Sequence, residues 1–243
     1  MLFDTHAHLI EASQQELDSI DYPILNVTAD SSQWYRAITI QKQNPFLLPA
    51  LGIHPWFVSQ ESYADIDVLE NFIERESIFA VGEIGLDFQK QFVKNKLLQL
   101  DIFECQLQLA ERHQLPVSIH VIKAHSELLT LLKQYSVGGV IHGLGASLPL
   151  VEQYLGLGFK IGVNGVACRS NANRYHAMLN NFSLAHFVLE TDYPNIYLPN
   201  RAQSSLSDIR HIAEMVAQIK NITAAEVIQQ TSYNARSVFG FKD

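Results

Sequence analysis

The sequence predicts an α/β protein folded as one (β/α)8 TIM barrel, a single domain over residues 1–243. Three observations lead there. Eight short apolar runs alternate with helix-patterned stretches along the whole chain. Several of those runs are almost unbroken in apolar residues, as parallel strands covered on both faces are. The length of 243 residues matches the roughly 250 typical of such barrels. A doubly wound open sheet also alternates β and α, but no Gly-x-Gly-x-x-Gly opens the first helix. No linker, low-complexity tract or long charge run divides the chain.

The strand expected first is Leu2–His8, with its polar residues in alternation. The others are Pro23–Ala29, Phe46–Ile53, Phe79–Leu86, Val117–Val121, Gly139–His142, Phe159–Val163 and His186–Glu190. Helical patterns fall between them at Asp30–Gln43, Ala64–Glu76, Phe92–His113, Ala124–Tyr135, Pro149–Leu155 and Leu206–Lys220. The clearest is Phe92–His113, where Leu97, Leu98, Leu100, Phe103, Leu107, Leu109 and Ala110 form a wide apolar stripe. A last helix starts at Thr223, whose Thr-Ala-Ala-Glu reads as a capping box ending at Glu226.

The formal charge of −8 argues against a broad basic surface for gripping duplex nucleic acid. Cys105 and Cys168 follow no metal or redox spacing and form no disulfide framework, which fits a reducing compartment. No basic segment followed by an apolar run marks a signal peptide, and no run approaches a membrane span. A cytoplasmic protein with no membrane association and no obligate protein partner is expected.

Polar residues end the apolar strands. His6 and His8 lie two apart on the first, so their rings point to one face. Asp4 shares that face one step deeper, where a carboxylate could orient a ligand histidine. His54 ends the third strand, Glu83 lies in Gly82-Glu83-Ile84-Gly85-Leu86-Asp87 at the end of the fourth, and His120 and His142 end the fifth and sixth. Asp192 follows the eighth. In a barrel these ends converge on the face where active sites lie. His6, His8, His120, His142, Glu83 and Asp192 exceed what one tetrahedral ion needs while keeping a position open. They suit two ions about 3.5–4 Å apart with a shared carboxylate. The donors accept Zn, Mn, Mg, Co or Ni, so the ions' identity is left open.

The strand-end motifs resemble those of the TatD-type metal-dependent hydrolases, the TatD DNases of the amidohydrolase superfamily. The matching stretches are Phe3-Asp4-Thr5-His6-Ala7-His8, Ala50-Leu51-Gly52-Ile53-His54-Pro55, Val81-Gly82-Glu83-Ile84-Gly85-Leu86-Asp87, Leu115-Pro116-Val117-Ser118-Ile119-His120, Val140-Ile141-His142-Gly143, Leu189-Glu190-Thr191-Asp192 and Asn234-Ala235-Arg236-Ser237-Val238-Phe239. They keep the family order, and His142-Gly143 with Phe159–Val163 is most similar to the YjjV branch. The resemblance implies two divalent ions per chain. His6, His8 and Asp192 would hold the first, His120 and His142 the second, and Glu83 would bridge. Catalysis would rest on Glu83 and on Asp192, which receives a proton from the attacking water, and His54 would contact substrate phosphate. Implied substrates are DNA ends, single-stranded DNA or a small phosphodiester. The chain departs from the family at Ile122, where an Arg is common, at Leu144-Gly145-Ala146 and at Tyr193, all expected on the substrate rim.

The other histidines (His113, His125, His176, His186 and His211) read as structural or surface residues, with His125 alone a candidate for the rim. Lys123, Arg169, Arg174 and Arg201 read as surface charges. Trp56 and Tyr193 follow site motifs and could stack on a base. Two other functions stay open from the residues. One is an amide or ester hydrolase, since a metal-activated water also attacks carbonyls and Ile122 supplies no phosphate clamp. The other is a non-catalytic binding barrel.

Overall fold

The computed structural model describes residues 1–241. Its strands are β1 (Asp4–Ala7), β2 (Ile24–Val27), β3 (Leu47–Leu51), β4 (Ala80–Asp87), β5 (Val117–Ile122), β6 (Gly139–Ile141), β7 (Lys160–Val163) and β8 (Phe187–Leu189). Each pairs in parallel with the next in sequence, giving the order β1 to β8. The helices are α1 (Gln14–Asp18), α2 (Trp34–Gln43), α3 (Ser62–Arg75), α4 (Lys96–Arg112), α5 (His125–Leu132), α6 (Leu148–Gly156), α7 (Asn173–Asn181), α8 (Asp208–Lys220) and α9 (Ala224–Phe239). The eight-strand α/β barrel expected from the sequence is the fold found. No described helix is long and apolar enough to cross a membrane.

Two helices were not anticipated. The single buried side chain of α1 is Leu17, too little for a periodic stripe. Helix α7 reads Asn-Arg-Tyr-His-Ala-Met-Leu-Asn-Asn, a composition that resembles a loop although Tyr175, Met178 and Leu179 are buried. The capping box at the start of α9 is present: Thr223 Oγ1 accepts from Glu226 N, and Glu226 Oε2 accepts from Thr223 N at 2.8 Å.

The barrel closes differently between β8 and β1 than elsewhere. In place of a ladder there is one bridge, Ala7 to Tyr193. His8 N donates to Tyr193 O at 2.7 Å, and Asp192 N donates to His6 O at 2.9 Å. Side chains complete the seam. Thr191 donates through N and Oγ1 to the two oxygens of Asp4, at 3.0 and 2.7 Å, and Thr5 Oγ1 donates to Leu189 O.

One apolar cluster takes Leu25 and Val27 from β2, Leu48 and Ala50 from β3, Ala80 from β4, Val140 from β6 and Val188 from β8. Non-adjacent strands can share a cluster only inside the barrel. Phe3, Ala235 and Phe239 belong to the same cluster, and the Phe3 and Phe239 rings lie 6.1 Å apart. Thus α9 stoppers the end where the strands begin, and the opposite mouth stays free for chemistry. Outside, Trp34 is fully buried and donates Nε1–H to Gly52 O at 3.2 Å, fixing α2 on the end of β3. Burying a side chain of this kind contributes roughly 1.5–3 kcal/mol.

Candidate metal centre

The strand ends bring the predicted residues to one place. Glu83, nearly fully buried, lies at the middle and divides its two oxygens between two pairs of imidazoles. Oε2 is 3.4 Å from Nε2 of both His6 and His8. Oε1 is 3.3 Å from His120 Nδ1 and 3.7 Å from His54 Nε2. Asp192 divides its oxygens as well: Oδ1 is 4.0 Å from His6 and 3.8 Å from His8, and Oδ2 is 3.5 Å from His142 Nε2. The His6 and His142 rings stack at 3.6 Å.

These distances fit a metal better than they fit hydrogen bonds. His6 Nε2 is fully buried and has no hydrogen-bond partner, a costly state unless a cation satisfies it. Two donors each about 2.0–2.1 Å from a tetrahedral ion are about 3.3–3.4 Å apart, the spacing of Glu83 from His6, His8 and His120. At this site three groups have ligand atoms close enough to share an ion: His6, His8 and Glu83; His54, Glu83 and His120; and His6, His142 and Asp192. A fourth such group among the described residues, Glu70, Glu74 and His113, lies elsewhere. His142 thus falls with His6 and Asp192, and the group that holds His120 contains His54. His54 Nδ1 accepts from Trp56 N at 3.2 Å, which turns Nε2 toward Glu83.

Burial and charge set the protonation states. Burial pulls the His8 imidazole down to about 4 and His54 down to about 3, so both present neutral nitrogen. Burial also disfavours charge on Glu83, but the His54 and His6 rings outweigh it and hold the carboxyl well below its usual range. Asp192 is likewise opposed by burial yet lowered to about 2, chiefly by His142. Burial opposes a charge on His142 too, and the Glu190 and Asp192 carboxylates raise it well above the ordinary value. For His120 the opposing carboxylates are Asp87 and Glu83, which raise it.

A depressed histidine has a signed consequence. The unfolded chain takes up a proton at His8 near pH 6.5, whereas the folded chain refuses it down to about pH 4. As pH falls through that window, the contribution of His8 to stability is lost. In metal-free protein the His8 ring should therefore give the NMR shifts of neutral imidazole at pH 6. A midpoint near 6.5 in a ring-nitrogen titration would contradict its desolvation.

Several residues that hold the site are not among the predicted ligands. Ser118 Oγ lies 3.2 Å from His6 Nδ1. Asp87, fully buried, is 3.3 Å from His120 Nε2 and accepts Trp56 Nε1–H at 2.7 Å. Glu190, also fully buried, is 2.9 Å from His142 Nδ1 and accepts from Gly143 N at 2.7 Å. Carboxylates behind ligand histidines fix ring orientation. Gly162 makes room for Glu190, since a Cβ there would lie 2.1 Å from Glu190 Oε2. Both acids sit inside the quoted strand-end motifs, which was the available signal. Asp4 differs from expectation: it accepts from His6 N and from Thr191 and touches no ring, because the seam takes both of its oxygens. Burial raises it to about 7.

The mouth is a cavity of about 570 Å³. His54, Trp56, Phe57 and Ile122 line it. Tyr193 does not, because its hydroxyl donates to Glu16 Oε1 at 2.9 Å and draws the ring toward α1; the expectation that it stacks on a base is thereby corrected. His125 is held off the rim by Tyr154 Oη at 2.9 Å, and His113 and His176 pair with Glu70 and Ala167 O.

A parallel eight-stranded barrel with imidazoles gathered around buried carboxylates at its open end defines the class, a metal-dependent hydrolase. The chain belongs to the TatD family: the family model described as TatD related DNase matches residues 3–240. It is 29% identical over 249 residues to the uncharacterized metal-dependent hydrolase YjjV of Escherichia coli K12, covering 97% of this chain and 92% of that one. It is 30% identical over 198 residues to the 3'-5' ssDNA/RNA exonuclease TatD of a Pantoea species, covering 77% and 76%. The crystal structure of YjjV superposes with a TM-score of 0.90 at 27% identity, covering 99% of this chain and 98% of that one.

Proposed function

We propose that the chain is a two-metal phosphodiesterase acting on DNA ends, single-stranded DNA or small phosphodiesters. The single observation that carries this reading is the division of Glu83 between two imidazole pairs, one per oxygen. A carboxylate placed so can serve two ions at once. By the family resemblance, His6, His8 and Asp192 would hold one ion, Glu83 would be shared, and His120 and His142 would hold the other. In this structure, however, His142 lies with His6 and Asp192, and His54 is the ring beside His120, close enough to Glu83 to assist or to meet substrate. Divalent ions there would lower the pKa of water and offset charge on the ester oxygens.

The protein's own groups do the rest. Asp192 is ionised at neutral pH and accepts the proton of the attacking water. Glu190 and Asp87 keep the His142 and His120 rings aimed. His8 stays neutral and keeps a lone pair available, and neutral His54, whose Nδ1 accepts from Trp56 N, presents its Nε2–H as a donor. Two unpaired cysteines fit a cytoplasmic enzyme. The test is hydrolysis by metal-reconstituted protein of single-stranded oligonucleotides, bis-p-nitrophenyl phosphate and N-acyl amino acids. Turnover of the phosphodiesters is expected. Turnover confined to the acyl compounds, or none despite bound metal, would overturn the reading.

A further inference from the structure

The cavity wall carries a chemistry that the metal centre does not explain. Among the described residues, no Lys or Arg lines it. Apart from the Tyr175 phenol its ionisable lining is imidazole and carboxylate, and the whole chain carries −8. The candidate rim cations are elsewhere: Arg201 is paired with Asp208, and Lys123, Arg169 and Arg174 are absent from the lining. A site that grips a strand at several phosphates needs fixed cations along the backbone.

Aromatic surface is what the wall offers in their place. Trp56 and Phe57 follow His54 directly and are 48% and 50% exposed, unusual for rings beside a buried centre. Trp56 is held in one orientation. Its indole N–H is satisfied by Asp87 at 2.7 Å, and its ring lies parallel to Phe92 at 5.0 Å and 14°. Asp87 is also the carboxylate behind His120, so the position of the ring is tied to that of the centre. Ile122 and Ile196 add apolar surface to the same cavity. A rigid aromatic ring with its polar end already satisfied offers area and little else, which suits another flat ring.

We propose that the substrate is a compact ester of nucleotide size, with one anionic group for the centre and one flat ring for Trp56, which acts as the specificity-determining contact. The strand beyond that unit is not gripped. This rests on the reading of the centre as an ester-hydrolysing one. The cavity's volume of about 570 Å³ lies in the range that encloses one small ligand.

The experiment uses the metal-loaded full chain and two probes that differ by a base, thymidine 5′-monophosphate and 2-deoxyribose 5-phosphate. Each is tested as a competitor of bis-p-nitrophenyl phosphate hydrolysis and, separately, as a quencher of tryptophan fluorescence. Trp34 is buried, so quenching reports Trp56. The thymidine compound should compete about tenfold better, the scale of one stacked base. That advantage should vanish in Trp56→Ala and return in Trp56→Phe, which keeps a ring without the Asp87 bond. A dinucleotide should be cleaved as efficiently per end as a strand of about 20 nucleotides, with little change between about 50 and 200 mM salt. Equal competition by the two probes, or a long strand preferred with a steep salt dependence, would overturn the proposal while leaving the hydrolase reading intact. Quenching by the thymidine compound without hydrolysis of any ester would sink the hydrolase reading and leave the ring contact standing.

Discussion

Glu83→Gln should lower hydrolysis by several orders of magnitude and leave the barrel folded. The carboxylate meets four imidazoles, two at each oxygen. Gln keeps the shape but removes the charge and replaces one acceptor with an NH2 donor. That donor would face either His6 and His8, at lone pairs intended for an ion, or His120 and the Nε2–H of His54. Two dications brought within about 4 Å with less neutralisation repel strongly, so bound metal should fall below the wild-type content. Glu83 lies within β4, but its side chain is part of the wall of the mouth cavity and not of the apolar clusters, so circular dichroism should be unchanged. Metal analysis, circular dichroism and turnover together decide the matter. Two ions retained with near-normal turnover would remove Glu83 from its central place, and loss of the fold would show that it belongs to the scaffold.

Gly85→Ala should do the reverse and damage the scaffold first. Gly85 has φ +144°, a conformation that side chains resist. A Cβ there would lie 1.9 Å from the His120 carbonyl oxygen. The clash is with backbone of β5, where Gly85 and His120 are in register, so no rotamer change relieves it. Separating β4 from β5 would break the pairing that carries both Glu83 and His120. Losses above about 4 kcal/mol mark such cases, which for a chain of this size lowers the unfolding midpoint by about 8–16 °C. Thermal unfolding of the metal-free variant measures it, and a shift of only a degree or two would mean that the strands give way more easily than their geometry indicates.

The strands were legible because both of their faces are covered. Each expected run contains or overlaps the observed strand to within two residues, since continuous apolar stretches announce themselves without periodicity. Helices that bury little were not legible, as α1 with Leu17 alone shows. Ligand candidates stood out because acids and imidazoles ended strands that were otherwise apolar. The roles of Asp87 and Glu190 were hidden in the same motifs, because which ring a carboxylate faces depends on the neighbouring strand. Asp4 and Tyr193 were misjudged for a related reason. Their partners, Thr191 and Glu16, are 187 and 177 residues distant, beyond any local pattern. The grouping of His142 with His6 depends on stacking across the barrel mouth, which no spacing encodes.

The seam between β8 and β1 bears on how the molecule comes into being. A nascent chain that has left the ribosome as far as β7 already contains His6, His8, Glu83, His120 and His142. It lacks Thr191, the residue that engages both oxygens of Asp4, and Asp192, whose amide hydrogen-bonds to His6 O. Until those arrive, the first strand has a neighbour on one side only. Five of the six predicted ligands therefore wait, during synthesis, for a clasp made by the last strand. An ion taken up afterwards by His6, His8 and Asp192 would span that clasp and hold it shut, so chelation should speed hydrogen exchange first at the amides of β1 and β8.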